Sequence, residues 1–124
     1  MNDIPIDLDW VKERAACSLG NMFDRLKARA QSDTESRNSI AGNILFYFKP
    51  KDDSSFTVLR GDSGPLRCFI LEEGRIIVQD RAKTEILRAT ITLNRDGRCL
   101  FEVKGESMEV WQVMRAALEP LFFG

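Results

Sequence analysis

The sequence predicts an α+β fold: an antiparallel six-stranded β-meander, curved or rolled into a half-barrel, with a long N-terminal helix and a shorter C-terminal helix packed on one face. Three observations predict it. Apolar residues recur every three or four positions at both ends of the chain, and every second position from Gly42 to Lys104. Gly, Asn, Asp and Pro cluster at short intervals in that middle stretch, as turns between strands require. These connections are too short for a parallel crossover, which takes a dozen residues or more, so consecutive strands pair as neighbours.

The first helix rests on Leu8, Val11, Ala15, Leu19, Met22, Leu26 and Ala30, which share one face. Asp7 or Asp9 suits its N-cap, and Pro5 suits a position before or within its first turn. Residues 32–42 are small and polar and read as a linker, with room for an extra helical turn around Thr34–Arg37. Strands follow at 43–49, 55–60, 67–72, 75–80, 85–93 and 98–104. Glu73-Gly74 reads as a tight hairpin, and Asn94-Arg95-Asp96-Gly97 as a turn ending in a left-handed glycine. Residues 106–109 read as a further short strand or as the start of the last helix. That helix spans about Met108–Leu118, on the stripe Trp111, Met114, Leu118 and Leu121, and Pro120 marks its end.

The chain has 124 residues, 44% hydrophobic and 30% charged, which excludes a disordered or collagen-like polymer. A chain of this mass buries about two-thirds of its surface on folding, enough for one core. Residues 1–124 are therefore read as a single domain. There is no histidine. That removes Ser-His and Cys-His nucleophile pairs, His-ligated metals and a histidine pH switch. Cys17, Cys68 and Cys99 are far apart and form no CxxC pair, so they read as reduced thiols. Neither a signal peptide nor an apolar run of membrane-spanning length is legible, which predicts a cytoplasmic protein with no membrane partner. No residue pattern implies a cofactor or a metal. The net charge of −1 gives no global attraction to nucleic acid.

Several strands are apolar on both faces, notably residues 44–48, 68–71 and 76–78. Parity groups Leu45, Tyr47, Leu59, Phe69, Leu71 and Ile77 as a second apolar surface, a candidate interface or ligand pocket. Trp111 beside the last helix and the tail Phe122-Phe123 join that candidate set. Arg60, Arg67, Arg75, Arg88 and Arg98 lie at or beside strands. Aligned across the sheet they would form an anion-binding stripe, whereas cross-strand pairing with Glu72, Glu85 and Glu102 would use them structurally.

The run Gly61-Asp62-Ser63-Gly64-Pro65 resembles the nucleophile signature of chymotrypsin-like serine proteases. That chemistry needs a histidine base, which this chain lacks, so Ser63 reads as a turn residue. The order helix, meander, helix is similar to that of frataxin-like proteins at the level of fold alone, and no acidic ridge accompanies it.

With no catalytic constellation and a surplus of apolar surface, the sequence points to a non-catalytic binding or adaptor protein. A homodimer and an unidentified protein partner are expected. The alternatives are a small-molecule pocket between helix and curved sheet, in a carrier or an enzyme, and weak anion or nucleic-acid binding by the strand arginines.

Overall fold

A computed structural model describes residues 9–124. The candidate cap Asp7, with Pro5 and Leu8, lies outside the described residues.

The predicted first helix is two helices. α1 (Trp10–Ala16) starts at Asp9, whose Oδ1 accepts from the Lys12 N–H at 3.2 Å. The chain then breaks at Cys17–Ser18. Ser18 is extended, at φ −137° and ψ 155°, and its Oγ accepts from the Asn21 N–H to start α2 (Leu19–Ala41). A serine at this point suits a cap better than a helix interior.

The predicted linker at 32–42 is helical up to Ala41, and Gly42 ends the helix at a left-handed φ of 78°. Local propensity in this segment is poor, but tertiary contacts override it. Thr34 is buried and donates its hydroxyl to the Ala30 carbonyl at 2.7 Å. Asn38 reaches the next strand: its Oδ1 accepts from the N–H groups of Leu45 and Phe46, and its Nδ2 donates to the Phe46 carbonyl.

Seven strands follow, one more than the six expected. They are β1 (Phe46–Asp52), β2 (Ser55–Arg60), β3 (Leu66–Glu72), β4 (Arg75–Gln79), β5 (Glu85–Leu93), β6 (Cys99–Val103) and β7 (Glu106–Met108). All pair antiparallel in strict sequence order, with β1 and β7 as open edges. The seventh exists because Lys104 and Gly105 both take positive φ, 53° and 80°. This is the two-residue hairpin geometry that Glu73 and Gly74 also adopt. At the first hairpin the Ser54 N–H donates to Asp52 Oδ1 at 2.8 Å, which holds that carboxyl below the usual carboxylate range.

α3 (Val110–Phe123) begins at Glu109, whose side chain and that of Gln112 form a reciprocal capping box. It continues through Pro120, contrary to the expected stop. Proline removes one N–H, the partner of the carbonyl four residues earlier. Here that residue is Ala116, and both Ala116 and Pro120 are exposed, so water can serve the carbonyl.

α2 and α3 lie on the same face of the sheet. Both begin near Cys99: α2 follows Cys17, which is bonded to Cys99, and Glu109 pairs with Arg98 at 2.7 Å. Both end near Phe46, which Asn38 holds by its backbone and Phe122 contacts edge-on at 4.8 Å. The two helices therefore run parallel. Phe23, Phe56, Phe69 and Phe101 fill the layer between helices and sheet with no exposed surface. Phe56 stacks on Phe69 at 4.5 Å. Among the described residues, no helix is long and apolar enough to cross a membrane.

Candidate functional site

Register decides which face each strand residue takes. Tyr47 opposes Leu59, Leu59 opposes Leu66, and Ile70 opposes Ile77. These five, with Cys68, lie on the face away from the helices. Phe69 and Leu71 do not. Phe69 opposes Phe56 and Val78 in the core, and Leu71 opposes Ile76. The second apolar surface read from parity is thus corrected: Leu66, Cys68 and Ile70 take the places assigned to Phe69 and Leu71. The cause is the β2–β3 connection. Leu59 pairs with Leu66, so odd positions in β2 share a face with even positions in β3. Leu45 precedes β1 and packs partly buried against the core.

On the helix-free face Leu59 and Ile77 are only 6% and 5% exposed. Each is flanked on both sides by cross-strand neighbours, Leu59 by Tyr47 and Leu66, and Ile77 by Ile70 and Arg88. Tyr47 is the exposed member, at 42%.

The strand arginines do not form one stripe. Arg88 pairs with Glu85 at 2.8 Å, Arg98 with Glu109 at 2.7 Å, and Arg75 with Glu73 at 3.5 Å. Arg67 donates from Nε to the Ala117 carbonyl of α3 at 2.9 Å, and Arg60 sits over the Phe46 ring. Arg67 and Arg60 point to the helix side, opposite Val58 and Phe46, whereas Arg88 opposes Ile77 on the other face. The expected cross-strand pairs are not formed among the described residues: Glu85 meets Arg88 within β5, and Glu72 and Glu102 make no ion pair there.

The cysteines also differ from expectation. Cys17 and Cys99 form a disulfide across 82 residues, with Cα atoms 5.4 Å apart, and Cys68 is free. Sequence spacing could not show this, because the bond joins the α1–α2 junction to the first residue of β6. Beside it, Glu13 Oε2 accepts from the Cys99 N–H at 2.9 Å. Among the described residues, no group of three or more Cys, Asp or Glu is placed to hold a metal ion.

A concave, largely apolar surface lies between the parallel helices. This groove, of about 300 Å³, has Met114, Leu118 and Phe122 as its floor. Ile40 of α2 and Trp111 and Phe123 of α3 form its apolar walls, 77%, 46% and 67% exposed. They are three of the eight large apolar side chains exposed among the described residues, so exposure is concentrated here. Two ion pairs line the rim, Arg29 with Asp33 at 2.9 Å and Arg115 with Glu119 at 3.4 Å. Arg37 is the third rim cation. Its Nε donates to the Phe122 carbonyl at 3.0 Å, and its guanidinium lies over Phe123 and Phe46 at 4.7 and 5.5 Å.

Of the sequence-derived candidates, the structure brings Trp111, Phe122 and Phe123 into this one groove. Ile40 and Arg37 were missed, because their segment read as a linker. The i,i+4 spacings Ala30–Thr34 and Arg29–Asp33 were the available signs that the helix continues. No protein-family model, curated protein or solved structure shows a significant match to the chain, so its function is argued from this geometry.

Proposed function

We propose that the protein is a non-catalytic binding module that receives an apolar segment of another protein in the α2–α3 groove. The observation that carries this reading is the convergence of Ile40, Trp111 and Phe123, all exposed, on one concave surface. Contiguous exposed apolar surface marks interaction sites, and tryptophan is enriched where binding energy concentrates. A small-molecule pocket between helix and sheet has less support, because phenylalanine side chains fill that layer.

Site-directed photocrosslinking in cells tests the reading. A photoreactive phenylalanine at exposed Ile40 is compared with one at exposed Lys104, away from the groove. A defined protein adduct at position 40 only, lost when Phe123→Asp is added, is the expected result. Equal adducts at both positions, or none at position 40, would sink the proposal.

Self-association through the helix-free face is a second reading, favoured by the run Tyr47, Leu66, Ile70 beside Leu59 and Ile77 with no helix over it. A cytoplasmic location belongs to the same proposal. There the Cys17–Cys99 bond would be a redox-responsive link, since cytosolic disulfides are mostly transient.

A further inference from the structure

We infer that the groove's partner is an amphipathic helix of about three turns that carries a carboxylate beside its apolar stripe. The inference rests on the groove reading above and adds the class of partner. Length comes first. The α2 wall runs from Arg29 to Ile40, about 16 Å of helix axis, or three turns. Shape comes second. The floor side chains Met114, Leu118 and Phe122 are no more than 8% exposed, so the groove is a shallow trough between two helical ridges. A third helix packs into such a trough by its own side-chain ridges, with anchors at i, i+3 or i+4, and i+7. An acyl chain needs a deeper enclosure to leave water.

Charge supplies the third argument. Arg29 and Arg115 are each matched by an acid one turn away, but Arg37 has no carboxylate partner among the described residues. Its Nε bond to Phe122 and the two aromatic rings fix the guanidinium and leave its Nη groups without a hydrogen bond in the structure. A guanidinium immobilised beside an apolar wall is pre-organised to take a carboxylate through both nitrogens. A carboxylate on the partner helix, flanking its apolar stripe, would meet it there.

The test uses the whole chain and two fluorescein-labelled helical peptides of about twelve residues. Both carry leucines at positions 1, 4, 8 and 11. One has glutamates flanking the stripe and the other has lysines. Fluorescence anisotropy is expected to show the acidic peptide binding roughly tenfold more tightly. Arg37→Gln should erase that difference, and Ile40→Ser, an uncharged change at an exposed position, should weaken both peptides. If Arg37→Gln does not fold, Arg37→Lys, which keeps the charge but loses the fork, should narrow the difference. Equal binding of both peptides to the wild type overturns the carboxylate while leaving the groove intact. Binding of neither peptide overturns the helix, and the photocrosslinking result then decides the groove separately. Displacement of the acidic peptide by dodecanoate at lower concentration would assign the site to a lipid and overturn the inference.

Discussion

Asn38 serves as a strand partner from within a helix. Its side-chain amide satisfies the N–H groups of Leu45 and Phe46 and the Phe46 carbonyl, which have left the helix but precede full pairing with β2. Removing those partners from part-buried backbone groups costs more than the bonds themselves contribute, because the groups stay unsatisfied. Asn38→Ala is therefore expected to lower stability by about 2 kcal/mol in urea unfolding. Asn38→Asp, which keeps the acceptor and loses the donor, should lose less. An unchanged midpoint for Asn38→Ala would mean that water replaces the amide. Nothing in the local sequence marks Asn38 for this role, since asparagine near a helix end reads equally well as a turn residue. Trp111, Phe122 and Phe123 were legible because large apolar side chains near a terminus are informative wherever they fall. Arg37 was not, because its meaning lies in contacts with Phe122 and Phe123, some 85 residues away in sequence, and with Phe46 on the next element.

At the scale of elements, the strands were the most legible part. Turn chemistry placed their boundaries within a few residues; the parity of β3 was misread, and Leu45 lies before β1 rather than on its outer face. The helices were less so. Periodicity showed that the chain's start is helical but not that Ser18 interrupts it, because an apolar stripe continues across a cap. α1 itself contributes no buried residue. Its ties to the body are the Cys17–Cys99 bond, the Glu13 carboxylate on the Cys99 N–H, Glu13 with Arg25 at 3.9 Å, and the Asn21 amide, which donates to the Ala16 carbonyl at 3.2 Å. A dithiol should therefore release α1 without unfolding the sheet. Hydrogen exchange is expected to rise most over Trp10–Ala16, while β2–β4 remain folded and lose only the protection that the fall in global stability removes. Closing so long a loop restricts the unfolded chain, so global stability should also fall, by about 4.5 kcal/mol on loop entropy alone. Unchanged exchange in α1 after reduction would show that the Glu13 and Asn21 contacts hold it without the disulfide.

For the whole molecule, the open sheet has two edges, and both are poor templates for another strand. β1 carries Lys49, Pro50 and Lys51 with a register shift near Asp52, and β7 has three residues. Charge, proline, irregularity and brevity each discourage edge pairing. Self-association, if it occurs through the sheet, must use the face. Light scattering on the wild type should then give a dimer mass at micromolar concentration, and Tyr47→Glu a folded monomer. A wild type that stays monomeric at high micromolar concentration removes the face-to-face dimer. It leaves the helix groove untouched, because the two surfaces lie on opposite sides of the molecule.

The parallel packing of α2 and α3 bears on synthesis. α2 leaves the ribosome early with Met22, Phe23 and Leu26 uncovered, and the strands that bury them follow one hairpin at a time. Its other flank waits for α3, which cannot fold against it until Phe122 has cleared the exit tunnel. No partner can engage the whole groove before α3 is made, because one of its walls is α3. A message truncated before α3 would yield a sticky, unguarded helix for chaperones to recognise.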